Sequence, residues 1–222
     1  MPSATCKDGR AVRVWDLPTR LFHLGVVAMV AACWWTYASE RMAWHRLCGY
    51  GVVGLLTFRL YWGFAGSSTA RFGGFVRGPR EAWLYIRGRA GVVVGHNPLG
   101  GWSVLALLGV LSTQVVSGLF TTDRADLAPG PFASALGPDA ARLAERVHAL
   151  AFRALLVMVA LHVAVVLLHL AFGDDLVSPM LHGRKRLPSA GVAPQVAPWW
   201  MSIPGGAAAL VVVFLLWRLD PS

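Results

Sequence analysis

"RVHALAFRALLVMVALHVAVVLLHL", residues 146–170, decides how the rest of the chain is read. Its apolar content is that of a helix built for lipid, yet it carries His148, His162, His169 and Arg153. Ionisable groups are costly in the hydrocarbon layer, so they mark a function and need partners. Those partners must come from elsewhere in the chain.

The whole sequence agrees with a membrane setting. Of its 222 residues 56% are hydrophobic and only 14% charged, with ten Trp. The apolar residues come in runs approaching the roughly 20 residues that cross a bilayer as a helix. The expected class is an all-α integral membrane protein. The net charge of +9 does not signal nucleic acid. The basic residues cluster in loops beside the apolar runs, which is a pattern of membrane topology. Cys6, Cys33 and Cys48 form no CxxC or CxxCH spacing, so there is no site for covalent c-type haem. A Cys33–Cys48 disulfide is left open. The first twenty residues lack the apolar core of a removable signal peptide.

Five spans are expected: Leu21–Ala38, Ala43–Phe64, Trp102–Phe120, Val147–Phe172 and Ile203–Leu219. The first two are joined by a link so short, around "SERM", that they must form an antiparallel hairpin. Lys7, Arg10, Arg13 and Arg20 precede the first span. Arg71, Arg77, Arg80, Arg87 and Arg89 lie between the second and third, and Arg184, Lys185 and Arg186 follow the fourth. Alternating spans bring these clusters to one side, expected to be the cytoplasm, with the N-terminus on it. The second loop also holds a short amphipathic pattern, Trp83, Tyr85 and Ile86 among arginines, suited to an interface. His96 and His182 lie in inner loops and are expected to be solvated, while the segment "GHNPLGG" (95–101) caps the start of the third span and could border a quinone. Residues 1–186 read as a four-helix membrane domain, and 187–222 as a linker with an extra C-terminal helix.

The histidines answer one another by depth. His148 and His162 are 14 residues apart. They therefore share one helix face, separated by about 21 Å along the axis. His23 enters from the cytoplasmic side and His45 from the outer side. Counting from their common outer surface, they differ in depth by roughly 18 Å. His45 is thus expected opposite His148 near the outside, and His23 opposite His162 toward the inside. His169, one further pair of turns along, fits that depth less well. Two pairs of neutral imidazoles between apolar helices are what two haem b groups require, one axial nitrogen from each face. Zinc would draw four ligands into one tetrahedron, and a proton relay would need carboxylates within the spans.

Four motifs carry a resemblance: "VWDLPTRLFH" (14–23), "WHRLCGYGVVGLLTFRLYWGF" (44–64), "GHNPLGGW" (95–102) and "VHALAFRALLVMVALH" (147–162). Together they resemble the bacterial cytochrome b561 family, near the b-type cytochrome subunits of nickel–iron hydrogenases. The resemblance spans about residues 12–186. It implies a four-helix bundle with two haem b groups, each held by two His. It also implies electron transfer between the quinone pool and a partner redox protein in the bacterial inner membrane. That partner would be a periplasmic c-type cytochrome or a dehydrogenase or hydrogenase subunit, docking on the outer loop Thr121–Arg146. Membrane lipid surrounds the chain, and homo-oligomerisation is left open.

Haem propionates want cationic partners. Arg59, 14 residues after His45 on the same face, and Arg20, one turn before His23, suit the inner haem. Arg46 and Arg153 adjoin the outer ligands. Gly49, Gly51 and Gly54 leave room on the second span for a flat macrocycle or for close helix packing. Ser112, Thr113, Gln114 and Ser117 suit interhelical hydrogen bonds, with a quinone contact as the alternative. Two other functions compete: a stand-alone superoxide:quinone oxidoreductase, and a haem-free membrane protein using the histidines for metal.

Overall fold

A computed structural model describes residues 10–89, 95, 97–122, 129–187 and 194–220. Cys6, Lys7, His96, Asp123, Arg124 and Asp126 lie outside the described residues. Along the chain, a strand β1 (Arg10–Arg13) is followed by helices α1 (Leu17–Ala38) and α2 (Met42–Ala65). The short helices α3 (Phe72–Phe75) and α4 (Pro79–Ile86) come next, then α5 (Pro98–Gly118) and α6 (Pro138–Ala171). After them come α7 (Val177–His182), β2 (Arg184–Leu187) and α8 (Ile203–Arg218). The fold is all-α and integral to the membrane. Among the described residues four helical stretches are long and apolar enough to cross it: α1, α5, α6 and Trp199–Arg218, which ends in α8. α2 equals them in length at 24 residues. It carries His45, Arg46 and Arg59 and falls short of them in hydropathy.

Contacts group the chain into two units. One comprises residues 1–21, 60–106 and 159–203; the other comprises 22–59, 107–158 and 204–222.

The first unit contains the only β-structure among the described residues. β1 and β2 pair antiparallel, with Arg13 opposite Arg184 and Val12 opposite Lys185. Val14 and Trp15 then donate to the carbonyl of Gly183 at 2.8 and 3.2 Å. Gly183 sits at φ +80°, a left-handed conformation that glycine adopts without a side-chain penalty. Asp16 ends this stretch and starts α1. Its Oδ1 accepts from the Thr19 amide at 2.7 Å, an N-cap. The same carboxylate accepts from the Trp62 indole at 3.1 and 3.3 Å. Asp16 and Trp62 are both buried. At α5, Asn97 is the N-cap, accepting from the Gly100 amide at 2.7 Å, so "NPLGG" (97–101) does start a helix with Pro at its first position. The amphipathic stretch forms α4, with Trp83 and Ile86 exposed.

In the second unit α1 and α2 form the expected hairpin through residues 39–41. Arg41 donates back to the Thr36 carbonyl at 2.8 Å and Glu40 to Tyr37 at 3.0 Å. These bonds make a Schellman closure in which Glu40, at φ 57°, takes the place glycine usually fills. α2 then runs back along α1. A Cβ on Gly25 would sit 3.3 Å from Leu55, and one on Gly51 would sit 3.1 Å from Met29. The core gathers Val52 and Leu56 of α2, Leu111 of α5 and Leu155 of α6, with Val26, Met29 and Val30 of α1 packed on them. Lipid tails are as apolar as these side chains, so close packing rather than escape from water holds such helices together. Gly54 faces α8: a Cβ there would lie 2.6 Å from Val213. Of Gly49, Gly51 and Gly54 on α2, the last two therefore serve helix packing, and Gly49 faces open space.

One boundary differs. The outer loop was expected to run to Arg146, but α6 begins at Pro138 and is 34 residues long. Pro138 opens the helix, Asp139 lies in its first turn, and "AARLAERV" is rich in helix formers. At about 1.5 Å per residue the helix outruns a hydrocarbon layer of about 30 Å.

Candidate functional site

The second unit brings His45 and His148 together. His45 lies in the first turn of α2, and its Nδ1 donates to the Cys33 carbonyl of α1 at 2.8 Å. His148 lies on α6, and its Nδ1 donates to the Gln114 carbonyl of α5 at 2.8 Å. The Gln114 side-chain amide sits 3.1 Å from His148 Nε2, and the Ser117 hydroxyl 3.5 Å from Nδ1. These contacts fix one tautomer for His148: Nδ1 carries the hydrogen and Nε2 the lone pair. His45, donating through Nδ1, has the same arrangement. The ring centres are 6.3 Å apart and the planes 87° to one another.

Helix packing makes room for this. α5 ends at Gly118, and a Cβ there would lie 2.8 Å from His148 Cε1. Only a residue without a side chain lets the imidazole lie so close to α5. Both rings line a cavity of about 900 Å³, within the range of small-molecule and cofactor sites. Its walls are apolar at Val30, Val52, Leu111 and Leu155, and Gly49 opens onto it. Arg46, Arg142, Arg146, Arg153 and Glu145 also line it, Arg46 and Arg142 being ion-paired with Asp220 and Asp139. Such a chamber suits a flat apolar group that ends in anions.

The other expected residues are distributed as follows. His23 is on α1 and His162 on α6, both half-buried. They belong to different units. His169 pairs through Nδ1 with Asp174 at 3.4 Å, at the end of α6. Arg59 is only 4% exposed, so it does not snorkel, and its guanidinium carbon is 6.0 Å from the Phe22 ring centre, a cation–π contact. Arg20 donates through Nε to the Met180 carbonyl at 3.2 Å and through Nη2 to that of Leu181. It thereby satisfies carbonyls at the end of α7. Arg46 forms an ion pair with Asp220 at 3.0 Å, while Arg153 is exposed on the cavity wall. Gln114 and Ser117 are both turned to His148. Cys33 and Cys48 are free thiols.

Sequence reading missed Gly118, the Cys33 carbonyl and Asp220. Gly118 could have been found from its place beside the polar cluster 112–117. A main-chain acceptor leaves no signal in residue identity.

Among the described residues there is no group of three or more His, Cys, Asp or Glu that could hold a bare metal ion. Neither the curated proteins nor the solved structures compared with the chain match it. A family does: the model of the prokaryotic cytochrome b561 family matches residues 14–183, well over half the sequence. The chain belongs to the prokaryotic cytochrome b561 family, multi-pass bacterial membrane proteins that bind haem b and transfer electrons.

Proposed function

We propose that the chain holds two haem b groups and carries electrons between quinone and a redox partner docked on its outer surface. The outer haem is held by His45 and His148, the inner one by His23 and His162. The observation that carries this reading is the His45–His148 pair. The two rings, their centres 6.3 Å apart, would hold a haem iron between them. Each donates through Nδ1, so each Nε2 retains the lone pair that a metal would take. The inner pair rests on residue spacing in the sequence alone: the separation of His23 from His45 in depth is about that of His162 from His148.

When bound, the haem supplies a one-electron Fe(III)/Fe(II) couple in a dry site. The chain's own residues do the rest. The Cys33 and Gln114 carbonyls, by accepting the Nδ1 hydrogens, set each ring's tautomer and orientation and raise the basicity of Nε2. Arg153, on the cavity wall, would offset propionate charge at the outer level, where the Arg46 charge is balanced by Asp220; Arg59 and Arg20 are proposed for the inner haem. The N-terminus lies in the cytoplasm, following the distribution of Lys and Arg.

Purified from membranes, the protein is expected to give a reduced b-type spectrum with two haems per chain. His148→Ala should lose one haem and keep the other. A preparation with no haem b, or a His148→Ala variant retaining both, overturns the assignment.

A further inference from the structure

The last helix lies beyond the family match, which ends at residue 183, yet it reaches the haem-site wall. α8 is seated on α2 where Gly54 leaves space for Val213 and for the Ala209 carbonyl, 3.4 Å from a Cβ placed on Gly54. This seating carries Asp220, just past the last turn of α8, to Arg46. Asp220 Oδ1 lies 3.0 Å from Arg46 Nη2, and Arg46 Nε donates to Oδ2 at 3.3 Å. The contact is an ion pair reinforced by one charge-assisted hydrogen bond, which seats the guanidinium against the carboxylate. Both side chains are desolvated, 10% and 5% exposed. Tyr50, one turn after Arg46 and 2% exposed, is in electrostatic contact with the pair.

Stability does not explain such a pair. Replacing a buried ion pair by apolar residues of similar volume is often neutral or stabilising. Its location is more informative, because Arg46 follows His45 directly and lines the cavity into which both imidazoles project their rings. A cation beside an iron site favours the reduced, less positive state, and a carboxylate beside that cation removes much of the effect.

We propose that Asp220 is a positioning residue for the His45–His148 site: it fixes the Arg46 guanidinium at the cavity wall and offsets its charge, so that the C-terminal helix sets the reduction potential of the haem bound there. The inference rests on the haem reading above. It gives α8 a role that the family core does not supply.

The test is a redox titration of the full chain in lipid, followed in the haem absorption band, for Asp220→Asn, Asp220→Glu, Arg46→Gln and the Asp220→Asn/Arg46→Gln double variant. Asp220→Asn should raise the midpoint of one haem component and leave the other in place. Arg46→Gln should lower that same component. The double variant should return near the unaltered protein, and Asp220→Glu should stay close to it. Unchanged midpoints, both components moving together, or the two single variants moving in the same direction overturn the proposal. If Asp220→Asn does not accumulate in membranes, the charge-balanced double variant should, and its absence also overturns it. A chain without haem b defeats the haem reading instead. The thermal stabilities of the same four chains then show whether positions 46 and 220 are coupled, and additive effects would end the positioning role as well.

Discussion

A single methyl group at position 118 tests the His148 geometry more sharply than removal of a ligand. In Gly118→Ala the new Cβ would start 2.8 Å from His148 Cε1 and 3.0 Å from Nδ1. Carbon atoms rest at about 3.5–4.0 Å, so the ring must retreat by roughly 0.7 Å or more. The imidazole is no loose side-chain end: its Nδ1 bond to the Gln114 carbonyl is 2.8 Å long, and a retreat of this size carries it out of the normal range of about 2.7–3.2 Å. Losing that bond costs about 1 kcal/mol, and overpacking costs about 1–3 kcal/mol. Alanine returns about 0.5–1 kcal/mol in helix propensity, leaving a net penalty of about 1–3 kcal/mol. Disturbing the partner of a metal-binding histidine usually weakens the site about 10- to 100-fold. Haem content per chain should therefore fall from two toward one as the protein is diluted in detergent. Gly109→Ala is the matched control, on the same helix and with nothing within 4 Å of the added carbon. It should retain both haems. If Gly118→Ala retains haem as firmly as Gly109→Ala does, His148 is not held against α5 as described.

Two further outcomes concern the scaffold. Asp16→Ala removes the cap of α1 and strands the buried Trp62 indole N–H; thermal unfolding in detergent should register a loss of about 2–4 kcal/mol, and a loss below about 0.5 kcal/mol would show that water replaces the carboxylate. Glu40→Gly relieves a left-handed backbone at the α1–α2 turn, so the same measurement should show a gain of up to about 1 kcal/mol; a loss would mean that the Glu40 side chain makes a contact worth more than the backbone cost.

Which features could be read from residue identity follows from their range. Long apolar runs placed α1, α5 and α8 and the end of α6 within a few residues, because hydropathy is local and additive; α6 starts at Pro138 rather than Val147 because its first turns are polar. The meeting of His45 with His148 was also legible, since helical rise converts residue spacing into depth once the α1–α2 hairpin is recognised. The β1–β2 ribbon was not. Four residues at each end of the core, "RAVR" and "RKRL", carry no alternation strong enough to announce a strand, and their pairing depends on contacts across some 170 positions. Gly54 had two physical uses, and choosing between them required knowing that α8 lies on α2. Arg46 and Arg20 were expected to serve haem propionates. Their contacts are the Asp220 carboxylate and the carbonyls of α7, both supplied by distant segments.

The ribbon also dates itself within the life of the molecule. Its second strand and Gly183 are made only after α6 has been synthesised, so the partners of the Val14 and Trp15 amides come late in synthesis. The clasp is therefore a late event of biogenesis. A chain that stops short of residue 183 has α1, α2, α5 and α6 and is still left unfastened at its amino end.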